Sequence, residues 1–211
     1  CLTIHGRPLA TLIKYISPGA RLLVLSHDGS SPAQVANLLN ERGYSNSRIS
    51  VLEHLGGDNE KRIDGSAKSW IYACVQDLNT LAIECVAEAD TVPLSRAPGL
   101  PDDVFEHDGQ LTKCEVRAIT LAKLRPLPGQ VLWDIGAGSG SISIEWLRLG
   151  GHRRAIAIEK NSERIAAMKL NVANLGTTDL MIVEGDFHHV KENLAFKPDA
   201  IFIGGGASDM S

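Results

Sequence analysis

The chain has little of what would tie it to nucleic acid, a bilayer or a metal. Its 21 lysines and arginines are outnumbered by 25 acids, and no Lys/Arg-rich run offsets the formal net charge of −4. The long-range attraction to a phosphate backbone is missing, so no nucleic-acid partner is expected. No apolar stretch approaches the roughly 20 residues that span a bilayer, and no charged-then-apolar leader opens the chain. Membrane association is therefore not expected, and the protein reads as cytoplasmic. The four cysteines, Cys1, Cys74, Cys85 and Cys114, contain no Cys-x-x-Cys pair, and the seven histidines do not complete a zinc spacing with them. Reduced, structural thiols and no metal site follow. There is no internal repeat and no low-complexity segment. With 44% apolar and 22% charged residues, the 211-residue chain is ordinary globular material, sufficient for one large or two small domains.

Apolar runs and turn residues divide the chain into two α/β parts. In the first, 22–25, 49–52 and 81–86 read as strands. Ser31-Pro32 suggests an N-cap followed by proline at the first helical position, ahead of Val35, Leu38, Leu39 and Arg42 at helical spacing. Residues 65–74 read as a further helix. Pro93, Pro98, Gly99 and Pro101 then break regular structure, and the boundary is placed near Ser95, giving domains 1–94 and 95–211. In the second part, Thr112-Lys113-Cys114-Glu115 has the pattern of a capping box opening a helix. Strand and helix then alternate, with Asn161 as a cap, Ile165, Met168, Val172 and Leu175 on one helix face, and Gly176 closing that helix. Such alternation implies a parallel sheet. The chain begins with Cys1 and stops shortly after the run Ala200-Ile201-Phe202-Ile203, so it is expected to be cut at both ends.

The segment Trp133-Asp134-Ile135-Gly136-Ala137-Gly138-Ser139-Gly140-Ser141 carries the most chemical information. An acid ends an apolar strand, and a glycine-rich turn leads into a helix expected from near Ser139. The dinucleotide fingerprint would need glycine at 141, where this chain has Ser141. The pattern instead fits S-adenosylmethionine, whose carboxylate can meet the helix N-terminus while Asp134 meets its ammonium group. Gly136, Gly138, Ser139 and Gly140 would let the backbone approach the cofactor. The next apolar run ends in Glu159, 23 residues after Gly136, where an acid can accept both ribose hydroxyls. A third run leads to Asp186 and Phe187, which resemble the acid and apolar side chain that methyltransferases of this type commonly place near the adenine amino group and ring. Taken singly, Asp134 and Glu159 could merely cap helices, and Asp186 could be a turn residue. Acids at three successive strand ends favour the cofactor.

Three motifs together, Gly99-Leu100-Pro101-Asp102-Asp103-Val104-Phe105, Thr112-Lys113-Cys114-Glu115-Val116-Arg117 and the 133–141 turn, resemble the decarboxylating methyltransferase module of cobalamin biosynthesis. In the first part, His5-Gly6-Arg7, Ser26-His27-Asp28-Gly29-Ser30-Ser31-Pro32, Leu52-Glu53-His54-Leu55-Gly56-Gly57 and Asp77-Leu78-Asn79-Thr80-Leu81-Ala82-Ile83-Glu84 resemble the C-terminal half of a tetrapyrrole methylase. The two modules are fused in this order in the bifunctional precorrin-6Y methyltransferases. The resemblance implies an α/β fold in which a small tetrapyrrole-methylase-like lobe precedes a Rossmann-like class I methyltransferase domain with a parallel, incomplete sheet. It also implies methylation of a precorrin at carbons 5 and 15, with loss of carbon dioxide from the ring C acetate. The missing N-terminal lobe of the first module, and a class I sheet that stops at its fourth strand, leave turnover by this chain alone in question. The residues leave open whether copies associate into a homo-oligomer.

Methyl transfer to an electron-rich macrocycle carbon is an in-line displacement governed by positioning and exclusion of water. Decarboxylation needs an electron sink, which the conjugated substrate can supply, and a proton. The substrate's carboxylates call for cations. Lys113 and Arg117, four apart near a helix start where cations are unfavourable, are candidates for that docking role, with a solvated face as the plain alternative. His107, with Asp108 beside it just before that helix, is the candidate proton donor, with a simply exposed loop histidine as the plain alternative. Competing readings are a class I methyltransferase acting on protein, RNA or another small molecule, an NAD-dependent oxidoreductase, and a binding fragment without turnover.

Overall fold

The structure is a computed structural model that describes residues 1–204. The chain forms two compact units, Cys1–Leu94 and Ser95–Ser211. The seven residues after Gly204, which bear on the expected cut end, lie outside the described part.

The first unit is a five-stranded sheet of β1 (Leu2–Thr3), β2 (Arg21–Leu25), β3 (Arg48–Glu53), β4 (Lys61–Ser66) and β5 (Asn79–Glu84), in the order β1-β2-β5-β3-β4. All neighbours are antiparallel except β1 and β2. Strict alternation buries Ile49, Val51, Leu81 and Ile83 on one face, where they join Val35 and Leu39 of α1 (Ser31–Glu41) in a single core. The 3-10 helix Leu9–Tyr15 adds Leu12 and Ile13 to that core, and one covered face is what period-two patterning of this kind predicts. Two local expectations change. Helix α1 starts at Ser31 itself, with Pro32 inside its first turn, because the Ser31 hydroxyl turns back to accept the backbone N–H groups of His27 and Asp28. The stretch 65–74 is not a helix: it holds the end of β4, a 3-10 turn at Ala67–Ser69 and irregular chain. Pairing with β3 decides this, since Gly65 lies opposite Ile49 and leaves room against its face for the Trp70 ring.

The second unit is built on a parallel sheet of β6 (Val131–Ile135), β7 (Arg154–Glu159), β8 (Met181–Glu184) and β9 (Ala200–Ile203), ordered β8-β7-β6-β9. The helices are α2 (Cys114–Leu124), α3 (Ser141–Arg148), α4 (Ser162–Leu175) and the short α5 (Phe187–Val190). All eight residues of α3 are buried, so this helix is enclosed rather than lying on the surface. Asn161 caps α4 by accepting the N–H groups of Glu163 and Arg164, and Gly176 ends it at φ 74°. The capping box does not form. Lys113 is the N-cap of α2, Glu115 is only its second residue, and the Thr112 carbonyl accepts from the Arg117 guanidinium. Among the described residues, no helix is long and apolar enough to cross a membrane.

Candidate active site at the glycine turn

The chain runs from β6 outward to β7 and β8, then returns to place β9 on the other side of β6. Reversals of this kind open a crevice at the carboxyl ends of the strands. The glycine turn occupies that end of β6, and Glu159 and Glu184 end the next two strands. Gly136, Gly138 and Gly140 all have positive φ, and both Gly136 and Ala137 donate their N–H groups to the Ile158 carbonyl. Space is distributed unevenly along the turn. A Cβ on Gly138 would meet nothing within 4 Å, whereas one on Gly140 would lie 2.6 Å from Met168 Cγ. The middle of the turn therefore faces open space and its end is sealed. Helix α3 begins at Ser141, two residues later than expected, because Gly140 in the left-handed region serves as its N-cap. Gly140→Ala is expected to cost about 1–3 kcal/mol from strain plus overlap, as measured by urea denaturation; an unchanged midpoint would contradict the packing.

Asp134 lies beneath the turn with 1% of its surface exposed. Its Oδ2 accepts from Ser143 N–H at 3.1 Å and from Ser143 Oγ at 2.7 Å. Its Oδ1 is buried with no partner among the described residues. Burial, with a smaller contribution from Glu159, pushes its pKa up to about 6. An orphaned carboxylate oxygen at a strand's carboxyl end fits a group bringing N–H donors and positive charge. Glu159, 5% exposed, accepts from Gly138 N–H at 2.8 Å and from Lys160 and Asn161 N–H at 2.9 Å each. It therefore ties β7 to the glycine turn. Asp186 accepts from His188 N–H at 2.9 Å as the N-cap of α5, a role distinct from both the adenine contact and the plain turn residue expected from the chain. Phe187 sits edge-on to Trp133 at 6.0 Å over Ile135, Ile156 and Ile158. The buried Ser139 gives its carbonyl to Asn171. These eight candidates, Asp134, Gly136, Gly138, Ser139, Gly140, Glu159, Asp186 and Phe187, all lie at the carboxyl end of the sheet.

The three catalytic candidates differ in their surroundings. Arg117 has no exposed surface: it pairs with Glu145 at 2.8 Å and Asp102 at 2.7 Å, donates to the carbonyls of Leu100 and Thr112, and lies 4.8 Å from the centre of the Phe105 ring. With no exposed surface and four of its five N–H donors engaged by the protein itself, it is out of reach of a substrate carboxylate, so the docking role expected for it is corrected. The anion that offsets a cation near the start of α2 is the protein's own. Lys113 is exposed, 3.3 Å from the same Asp102. His107 is exposed, with Nδ1 accepting from Gly109 N–H at 3.0 Å.

Sequence reasoning passed over Ser143, Glu145 and Asn171, and took Met168 only as part of an apolar helix face. Glu145 accepts from Gly99 and Leu100 N–H at 2.7 and 3.0 Å, which anchors the Gly99–Phe105 motif to α3. A signal was present for it: Glu145 stands at i+3 in the apolar stripe Ile142, Trp146, Leu149. Asn171 likewise follows Met168 by three. A polar residue within an apolar stripe is a buried group that must find partners.

This geometry agrees with the comparisons. The family model described as "Precorrin methyltransferase domain" matches residues 103–211. The chain is 45% identical over 208 residues to the precorrin-6Y C(5,15)-methyltransferase [decarboxylating] of Sinorhizobium sp, covering 99% of this chain and 50% of that protein. It is 37% identical over 114 residues to a probable cobalt-precorrin-6B C(15)-methyltransferase (decarboxylating) of Saccharolobus solfataricus, covering 52% and 57% respectively. Among solved structures, a precorrin-6y C5,15-methyltransferase from Geobacter metallireducens superposes with a TM-score of 0.53 at 35% identity, covering 56% of this chain and 62% of that one. The C-terminal domain of the Rhodobacter capsulatus precorrin-6Y C5,15-methyltransferase gives 0.50 at 45% identity, covering 54% and 60%. The chain spans about half the length of the curated relatives it matches. With the sheet order, the glycine turn and the matched residues in agreement, the chain belongs to the precorrin methyltransferase domain family.

Proposed function

We propose that the second unit is a class I S-adenosylmethionine-dependent domain that C-methylates a precorrin at carbon 15 and removes carbon dioxide from its ring C acetate, in cobalamin biosynthesis. The first unit is read as the C-terminal lobe of the tetrapyrrole methylase that acts at carbon 5, and a cytoplasmic location goes with this reading. The observation that carries the proposal is the orphaned Asp134 Oδ1 beneath an open glycine turn, with acids ending the next two strands. The division of labour is supported by coverage. Relatives named for both carbons match 90% to 99% of the chain, and those named for carbon 15 alone match about half of it.

S-adenosylmethionine supplies an electrophilic methyl group when bound. Asp134 would take its ammonium group, and the backbone of Gly136, Gly138, Ser139 and Gly140 would line the cleft floor. Glu159 would exchange a backbone N–H partner for the ribose hydroxyls, and Asp186 and Phe187 would border the adenine. The chain's own contribution is then to bind, orient and exclude water. Lys113, exposed at the start of α2, remains the candidate cation for a substrate carboxylate, and His107 the candidate proton donor.

Isothermal titration with S-adenosylhomocysteine and with NAD tests the cofactor. Binding of the first alone is expected, and Asp134→Ala or Glu159→Ala should weaken it about tenfold or more, as for loss of a charge-assisted hydrogen bond. NAD binding instead, or unchanged affinity in both variants, would remove the assignment. Labelled methyl transfer to a precorrin, comparing this chain with one extended to the length of its relatives, tests turnover.

A further inference from the structure

Three residues on one face of α4 meet the glycine turn and the segment that leads into α2. Asn171 has no exposed surface, and its Oδ1 accepts from Glu106 N–H at 2.7 Å while Nδ2 donates to the Glu106 carbonyl at 2.9 Å. The side-chain amide thus pairs with both backbone groups of one residue, as a neighbouring strand would. The second Nδ2 proton goes to the Ser139 carbonyl in the glycine turn at 3.0 Å. Two helical turns earlier, Arg164 donates to Asp108 at 2.7 Å and to Gln110 at 2.8 Å. Seven residues separate Arg164 from Asn171, which puts them on one face. Between them lies Met168, fully buried against Gly140.

We infer that Asn171 is a positioning residue that joins the 106–110 segment to the glycine turn, so that closure of this segment sets the affinity for the cofactor. The inference rests on reading that turn as the cofactor site. The chemistry selects asparagine. Aspartate lacks both donors and would bury a charge, leucine offers neither donor nor acceptor, and glutamine carries the same amide one methylene further out. The two attachments also differ in kind. The Arg164 arm is partly exposed, with side-chain exposures of 29% and 42% for Arg164 and Asp108, so it is screened and opens readily, whereas the Asn171 anchor is enclosed.

Amide hydrogen exchange and S-adenosylhomocysteine titration on the full chain test this. Asn171→Ala is expected to raise exchange at Glu106 and across the 136–140 turn about tenfold, leave β7 protected, and weaken S-adenosylhomocysteine binding about tenfold. Arg164→Ala should loosen 108–110 alone and weaken binding no more than about threefold. Should the alanine protein not fold, Asn171→Gln, which keeps the amide but displaces it, is expected to show the same pattern more weakly. A purely structural role would raise exchange uniformly, β7 included, and that result overturns the inference. So does a loosened Glu106 with an unchanged turn, or an unchanged affinity. If the parent chain does not bind S-adenosylhomocysteine, the cofactor reading fails, and exchange at 136–140 still decides whether Asn171 couples the two segments.

Discussion

Replacing Arg117 by leucine is expected to destabilise the second unit by about 3–5 kcal/mol, the scale for removing one partner of a buried ion pair. The guanidinium is fully enclosed and serves Glu145, Asp102 and the carbonyls of Leu100 and Thr112 at once. Leucine would strand the Glu145 carboxylate, 2% exposed, together with two carbonyls. Pairing the change with Glu145→Leu should recover only part of the loss, because Glu145 also accepts the Gly99 and Leu100 N–H groups. The double variant removes the stranded charge and creates two stranded donors. Urea denaturation of the two single variants and the double variant gives the cycle. A loss below about 1 kcal/mol for Arg117→Leu would mean that the cluster behaves as a solvated surface group. Acid adds a second reading. The Arg117 hydrogen bond, foremost, holds the Asp102 carboxyl below its ordinary 3.8. Stability from a lowered carboxylate pKa is present above the unfolded value and lost as pH falls through the folded one. The gap between parent and Arg117→Leu should therefore narrow below about pH 4.

Asp134→Asn has the opposite expected sign. Burial raises the Asp134 pKa from 3.8 to about 6, so above pH 6 the ligand-free fold must hold an ionised carboxylate that the unfolded chain solvates better. A raised pKa contributes stability below the unfolded value, and that stability is lost as pH rises through the folded one. That rise corresponds to roughly 3 kcal/mol. The asparagine variant, whose carbonyl can still accept from Ser143, is expected to be more stable than the parent by up to that amount at pH 8. The advantage should fade as pH falls from 6 to 4 and vanish below it. Thermal melts of the ligand-free proteins across this range measure it, and a gain that does not depend on pH would refute the buried-charge account. An ammonium group placed at Oδ1 cancels the same cost, so S-adenosylhomocysteine, which brings one, should raise the parent's melting temperature more than the variant's at pH 8.

The glycine turn and the strands around it could be read directly because their signals are local. Asp134, the glycines and Glu159 stand at ends of short apolar runs, and such runs become strands whatever surrounds them. Asn161 and Gly176 bound α4 for equally local reasons. Errors arose where a partner distant in sequence competed. The 65–74 stretch was drawn into β4 by pairing with β3. The capping box failed locally instead, since α2 starts at Cys114 with Lys113 as its N-cap. Arg117 was singled out correctly as a cation in an unfavourable place. Its anion could not be found from the chain, since Glu145 lies 28 residues away.

Sequence alone determined the class of fold, the place of the glycine turn and the acids that accompany it, because hydrophobic period, turn chemistry and spacing act within a few residues of each other. Tertiary structure decided the protonation and the hub. Whether Asp134 is an ordinary carboxylate or one shifted to about 6 depends on its enclosure beneath the turn. Whether Arg117 meets a substrate or the protein's own carboxylates depends on the packing of α2 on α3. Desolvation and long-range pairing set both outcomes, and neither is a property of a residue and its neighbours in the chain.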